Sequence, residues 1–595
     1  MLFRKLLKKS NTPHHIDMLI WPGFLFSISF VYFLCFGNGL FFLQENRSLF
    51  IFSKEYLNDF IVKPGGLLEY AGNFFTQFYF SKVFASLIIS LSLLLFYYLF
   101  IRINKLLSED NSFSFPLVLI PSCLMLLMQI REDHFMYHTI GYLLTFVFYL
   151  VAVKSGTRRI KYLILVLFPM FFYITGSFAL LFLLMYLAYF VAFIKGFQKY
   201  FLILILILTA IISFYAFEEI LFLQPPDRLL RYPLNLFDIN DLAVSKIILV
   251  AYIVLLPFIV KIYRNLKVQA GSPLLLTRLS LIIVFSATFC FLGAQYNPGR
   301  ENDLKIEKFF FEQNWDAIIL QNEKVPSKNE ISQYYYNLAL TGKGQLCDRM
   351  FSVRQDYGIG SMVLPRISEN VNRSFYYYYT IGLINEAHHL AYESMVLNGI
   401  SPENLKMLVK TDIINGNYKI AERNINILKK TLHYKSWADR FEKMLYKPDI
   451  VSSDPELGNK IRLMPGKDFF IGPDDKENLD LMMMANPDNK KAFEYKMAFL
   501  LLEKDYKAVM YQVKKMKDMK YTRIPRHIEE SMMIFIDHKD ELPYLGDFII
   551  NRETEDRFTN FLKDLRINKT ENRNEPERSM KNLWGKTFWY YFEFK

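Results

Sequence analysis

Along residues 1–295 the apolar positions run together in blocks long enough to cross a hydrocarbon core of about 30 Å. After Gly299 they recur instead at helical spacing between Lys, Asn, Glu and Tyr. The first pattern predicts nine membrane spans, near 19–43, 82–101, 115–130, 137–153, 162–178, 179–194, 200–216, 245–262 and 279–295. The fifth and sixth are divided only by Thr175, Gly176 and Ser177. The expected fold class is all-α: a polytopic transmembrane helical bundle over 1–295 followed by an exterior helical repeat-like domain. That domain divides into a first part over 296–446, a loop-rich connector over 447–490 with five prolines, and a second part with an aromatic tail over 491–595.

Four places in the second half share one local pattern: a helix, a tight polar or glycine turn, then a second helix that opens on a large apolar or capping residue. They read EQNWDAII (312–319), TGKGQLCDRM (341–350), INGNYKIAERNI (414–425) and LEKDYKAVMYQV (502–513). Trp315, Tyr418 and Tyr506 follow Asn or Asp, and Ala317, Ala421 and Ala508 come two or three residues later, the large-beside-small pairing that helical hairpins need where they cross. Pro326 and Pro402 are expected to open further helices, and Asn385 to His389 another hairpin. The tyrosines of SFYYYY (374–379) read as core. The polar stretch 565–582 reads as flexible, and LWGKTFWYYFEFK at the end is expected to dock on its own domain.

Composition sharpens this division. The first 295 residues hold 24 Lys+Arg and 14 Asp+Glu, about 13% charged; the other 300 hold 46 and 44, about 30%. Most of the net charge of +12 thus belongs to the apolar half, and the balanced second half excludes a basic nucleic-acid-binding domain as the default. With a cytoplasmic N-terminus, the inside segments gather 16 basic residues against 3 acids, Arg4, Lys5, Lys8, Lys9 and Lys267 among them, and the outside loops 8 against 11. The positive-inside rule therefore predicts a multi-pass cytoplasmic-membrane protein with its second half outside. The first span reads as an uncleaved anchor. Cys347 is the only cysteine of the exterior domain, so no disulfide can form within it.

No Walker loop, dinucleotide fingerprint, nucleophile elbow or HExxH motif is present. Candidate chemistry falls on the exterior loops. In QIREDHFMYH (129–138), Arg131, Glu132, Asp133, His134, Tyr137 and His138 crowd a span boundary, and His134 and His138 share a face if the helix begins near His134. This suits a general base from Asp133 or Glu132, or an acid-plus-histidine metal site; the plain alternative is the polar cap of a span. Glu45 lies at the mouth of the first span, before a loop in which Pro64, Gly65 and Gly66 turn the interfacial stretch Leu67–Phe80 along the membrane. The loop 217–246 offers Glu218, Glu219, Asp227, Arg228, Arg231, Asp238 and Asp241, with the two arginines as candidate phosphate ligands. No cofactor is implied.

The strings PGGLLEYAGNFFTQF, REDHFMYHTIGYLL, NLALTGKGQLCDRMF, GLINEAHHLAYE and INGNYKIAERNINILKKTL resemble an uncharacterised family of bacterial multi-pass membrane proteins with a C-terminal tetratricopeptide-like domain. In architecture the chain is similar to membrane glycosyltransferases that take sugar from a polyprenyl phosphate. That similarity implies a lipid-linked sugar as partner, Glu45 or Asp133 as catalytic acid or base, and Arg131, Arg228 or Arg231 on the lipid phosphate. The first exterior loop lacks the paired acids of such enzymes. A membrane-anchored scaffold, with a protein partner on the helical-repeat surface, is the alternative; a transporter ranks behind both, since nearly every ionisable residue lies at a span end.

Overall fold

The computed structural model describes residues 13–108, 115–154, 158–235, 244–265, 274–367, 370–467, 469–538, 548–571 and 576–595. Arg4, Lys5, Lys8, Lys9, Lys267, Asp238 and Asp241 lie outside them. Every regular element among the described residues is helical. The chain divides into two compact units, Met1–Asn297 with Lys430–His433, and Pro298–Lys429 with Tyr434–Lys595.

In the first unit, four helices are long and apolar enough to cross a membrane: Lys82–Ser108, Met136–Lys154, Gln198–Leu221 and Val244–Ile262. The number rises to six if two bent pairs each count once, Ile20–Cys35 with Gly39–Arg47 and Leu279–Gln295 with Pro298–Phe311. The expectation of nine spans is therefore met for four to six. Val118–Gln129, Tyr162–Thr175 and Phe178–Phe193 are apolar but shorter; Gly176 (φ +60°) and its neighbours separate the last two. The first expected span also departs from a straight crossing, since it bends by 80° between Cys35 and Gly39. Lys82–Ser108 forms the centre and packs on Pro13–Cys35, Phe115–Gln129 and Met136–Lys154, burying Leu93, Phe96 and Phe100 against Phe146.

Glycines bring the remaining helices of this unit close. A Cβ on Gly66 would stand 2.8 Å from the Phe60 carbonyl carbon, so the turn after Lys54–Ile61 admits no side chain there. Gly72, on Gly66–Thr76, meets Tyr137 so closely that a Cβ would lie 2.7 Å from the Tyr137 amide nitrogen. The stretch expected to lie along the interface thus buries one face, Leu68, Gly72, Asn73 and Thr76, within the unit.

The second unit explains the recurrent turn pattern. At each of the four places the first helix closes through a residue in the left-handed region: Gln313 (φ 56°), Gly344 (69°), Gly416 (76°) and Lys504 (61°). The next amide donates back five residues, Asn314 to the Phe309 carbonyl, Gln345 to Leu340, Asn417 to Asp412 and Asp505 to Leu500, at 2.8–2.9 Å. This is the closure that satisfies orphan carbonyls at a helix end. At two of the four, that same residue then caps the next helix: Asn314 Oδ1 accepts from the Ala317 amide and Asp505 Oδ1 from Ala508. A fifth such turn, at Gly382, joins Val371–Ile381 to Ile384–Asn398.

The core of this unit is tyrosine-rich, and five of its rings bury apolar area while the hydroxyl ends on a carboxylate. Tyr335 donates to Glu307, Tyr336 to Glu323, Tyr376 to Glu403, Tyr378 to Asp475 and Tyr379 to Glu456. Between residues 447 and 490 the prolines start or follow short helices, Pro448–Ser453, Leu457–Leu463 and Asp475–Ala485, and Pro402 opens Pro402–Ile414; Pro326 does not open one. Of the stretch read as flexible, 572–575 lie outside the described residues; on either side Arg552–Glu571 and Pro576–Trp584 are helices, with Phe558, Phe561, Leu565 and Met580 buried. The aromatic tail docks on its own unit, with Phe588, Trp589, Tyr590 and Tyr591 buried.

Candidate functional site

The helix Phe115–Gln129 ends before a short turn, and Met136–Lys154 begins after it. This turn carries Arg131, Asp133 and His134, and His138 follows one helical turn later. They line one pocket with Met128, Leu234 and Lys246. Arg131 grips Asp133 with two parallel bonds, Nε to Oδ1 at 2.9 Å and Nη2 to Oδ2 at 3.0 Å. Burial pushes the Asp133 carboxyl up, but the Arg131 hydrogen bonds and charge outweigh it and hold the group below its usual range. With two cations, one carboxylate and neutral imidazoles, the pocket favours an anion.

His134 is buried, and its Nε2 lies 3.0 Å from Thr139 Oγ1, to which Gln129 Nε2 also donates at 3.3 Å. Burial pushes the His134 imidazole well below its ordinary value, and the charges of Lys246 and Arg131 act in the same direction. Its carbonyl accepts from Gln44 Nε2 at 3.1 Å. The His134 and His138 rings stack at 5.2 Å although His134 precedes the helix. His138 is wedged further by Tyr137, at 4.3 Å between centroids.

The far wall is a strap, 232–235, that sequence reasoning missed. The Pro233 carbonyl lies 3.1 Å from His138 Nε2, and Ser177 Oγ both accepts from the Leu234 amide (2.8 Å) and donates to its carbonyl (3.1 Å). Ser177 N donates to the Tyr232 carbonyl, and Lys246 Nζ to the Asn235 carbonyl. Gly65 and Gly176 let the strap approach, since a Cβ on Gly176 would stand 2.6 Å from the Tyr232 carbonyl oxygen. On its other side Tyr232 donates to Glu69, which pairs with Lys63 at 2.6 Å; burial, then the Glu69 charge, push the Tyr232 phenol up.

The other nominated residues lie outside the lining. Glu45 is buried (4% exposed) in Gly39–Arg47 beside Gln44, and Glu132 is half-buried. Arg228 and Arg231 are exposed on Pro226–Arg231, Arg228 over the Tyr232 ring at 5.7 Å and Arg231 paired with Asp227 at 2.8 Å. Glu218 and Glu219 sit in a π-helical turn, Ala216–Leu221. The acid-plus-histidine metal reading finds no such geometry: among the described residues no group of three or more His, Cys, Asp or Glu could hold an ion. Lys246 went unnoticed because a lone lysine before an apolar run looks like any span boundary.

The described residues are all-α, and four to six of the helices, counting each bent pair once, are long and apolar enough to cross a membrane, as in a membrane protein. The chain belongs to a family of unknown function, DUF6057, whose model matches residues 15–595. No curated protein matches it, and no solved structure does.

Proposed function

We propose that this protein is a multi-pass cytoplasmic-membrane glycosyltransferase that takes a sugar from a polyprenyl phosphate on the exterior face. The observation that carries the reading is the convergence of Arg131, Lys246 and Asp133 in one pocket next to apolar helices. The lipid phosphate lies against Arg131 and Lys246. Asp133, the one carboxylate lining the pocket, takes the proton of the acceptor hydroxyl. The acceptor oxygen bonds to the anomeric carbon as the bond from that carbon to the phosphate oxygen breaks, and the electron pair stays on the phosphate, where the two cations stabilise it. Glu45, Arg228 and Arg231 have no direct part in this version.

The test is turnover of a labelled polyprenyl-phosphate sugar by the full-length protein in nanodiscs. Arg131→Ala and Lys246→Met are expected to weaken donor binding at least tenfold, and Asp133→Asn to lower turnover with donor binding retained. Donor binding indifferent to both cation variants would overturn the reading. The scaffold alternative is favoured by one observation, the recurrence of the same left-handed closure at five helical hairpins of the second unit. Under it these hairpins are tetratricopeptide-like repeats that hold an envelope-assembly partner, and pocket variants leave partner capture and surface glycans unchanged.

A further inference from the structure

Two lysines of the second unit share one aromatic ring. Tyr379 is buried near the end of Val371–Ile381, Lys410 comes from Pro402–Ile414 and Lys460 from Leu457–Leu463. Lys410 Nζ lies 5.7 Å from the Tyr379 ring centroid and Lys460 Nζ 4.8 Å. The carboxylate beside the ring, Glu456, is committed to Lys410: its Oε1 accepts from Lys410 Nζ at 2.6 Å and from the Tyr379 hydroxyl at 3.0 Å. Lys460 Nζ donates to the Thr380 carbonyl at 3.2 Å, and among the described residues no carboxylate stands within ion-pair distance of it. An ammonium withdrawn from water needs a counter-charge or gives up its proton. Lys410 has that counter-charge, whereas Lys460 has a carbonyl and a ring face shared with another cation. Burial pushes the Lys460 amine down; the more distant Glu456 opposes this, Lys491 and Lys410 reinforce it, and the amine comes to about 7. Lys460 is half-buried, so its side chain still borders solvent.

We propose that Lys460 is a modification site for carbon dioxide, carried as a carbamate on Nζ. The lone pair of the neutral amine forms the N–C bond, one C=O electron pair moves onto oxygen, and a proton of the nitrogen leaves to water, so the step needs no oxidant or reductant. An ammonium has no lone pair to give, which is why the lysine without a carboxylate is the site and Lys410 is not. The product is an anion in the positive field of Lys410 and Lys491, which favours it over the free amine. The Tyr379 ring and the Thr380 carbonyl close in on Nζ, which suits a small linear electrophile better than a bulky aldehyde.

The test equilibrates the full-length protein in nanodiscs with 13C-labelled bicarbonate at pH 7.5, fixes carbamates by ethylation with triethyloxonium, and locates them by peptide mass spectrometry. At that pH an amine at about 7 is about three-quarters neutral, against about one part in a thousand for an ordinary lysine at about 10.4. Label at Lys460 should therefore exceed that at the exposed Lys443 and Lys447 at least tenfold; label at Lys460 no greater than theirs overturns the proposal. Lys410→Met removes a neighbouring cation and frees Glu456 to pair with Lys460, so it should lower the Lys460 label at least threefold. Undiminished label in that variant overturns the proposal as well. A second measurement needs no variant: trace acetylation of Lys460 by acetic anhydride in the unaltered protein should reach half its plateau rate near pH 7, and a midpoint near pH 10 overturns the proposal.

Discussion

Replacing Glu530 by glutamine should release the C-terminal tail. Glu530 is fully buried and its carboxylate accepts four hydrogen bonds: Arg526 Nε (2.9 Å) and Arg557 Nη2 (3.1 Å) on Oε1, His527 Nδ1 (2.9 Å) and the Phe588 amide (2.7 Å) on Oε2. Its main-chain carbonyl takes the Trp589 indole N–H at 2.7 Å. Burial pushes the carboxyl up, but His527, Arg526 and the Phe588 amide outweigh it and bring it down to about 2. Glutamine keeps one acceptor oxygen, so its NH₂ must face one of the two donor pairs. Losing two charge-assisted bonds and leaving donors buried costs about 3–5 kcal/mol; the lower end applies, because Arg526 is 40% exposed and can rehydrate. At about 1.4 kcal/mol per factor of ten, amides of the 588–595 peptide should exchange about 100-fold faster in the variant, read by hydrogen-exchange mass spectrometry on the detergent-solubilised full chain. Peptides from Ile384–Asn398 serve as the internal control. The linkage sign follows from the lowered pKa. The contribution is complete above the unfolded value of about 4.3 and disappears as pH falls through about 2, so wild type should gain pepsin sensitivity in the tail across that window and Glu530→Gln should show no such step. Tail exchange within threefold of wild type would refute the reasoning.

Gly72→Ala forces Tyr137 and its backbone away from Gly66–Thr76, which should cost about 1–3 kcal/mol and, by moving the neighbour of His138, weaken donor binding; calorimetry on the variant checks this. Asn489 is buried and bridges three segments, donating to the Ile381 and Leu463 carbonyls at 2.7 and 2.9 Å and accepting from the Ala492 amide at 3.0 Å. Asn489→Ala should destabilise the second unit by about 2–4 kcal/mol, seen as a lower thermal midpoint. Ser177→Ala removes both side-chain bonds to Leu234 and should weaken donor binding in the same assay, since it loosens the wall of the pocket.

What could be read from the chain depended on how local the cause was. The hairpin turns were legible because a left-handed closure needs only a few consecutive residues, and Gly416-Asn417-Tyr418 states it outright; at Gln313 and Lys504 the same geometry is carried by a residue with no such signature. Tail docking was legible from aromatic density, but Glu530 was not, since its partners lie 27 and 58 residues away along the chain. Of the nine expected spans, four to six meet the length and apolarity of a crossing among the described residues, because hydropathy measures apolarity and not where a helix stops. Beside 565–582, the apolar positions Phe558, Phe561 and Leu565 keep helical spacing and are buried, a signal that the high charge of the following residues hid. In the pocket, the contiguous Arg131 to His138 cluster was visible, whereas Lys246 and the strap join it only through tertiary packing. Glu45, Arg228 and Arg231 were nominated on charge and loop position, and neither property reports what a side chain faces.

The plain reading of residues 131–138, a polar cap on a membrane helix, can be weighed physically. A cap keeps its polar groups in water, where they cost nothing to leave unpaired. Here His134 is buried, and burying a polar group without a partner costs about 1–3 kcal/mol on mutational scales. The chain supplies partners from four separate elements: Gln44, Gln129, Thr139 and Pro233. It also spends three glycines, Gly65, Gly72 and Gly176, at positions where a Cβ would push the strap or Tyr137 away. Such positioning is superfluous for a solvated cap and is what a binding site requires, where side chains must be held before the ligand arrives.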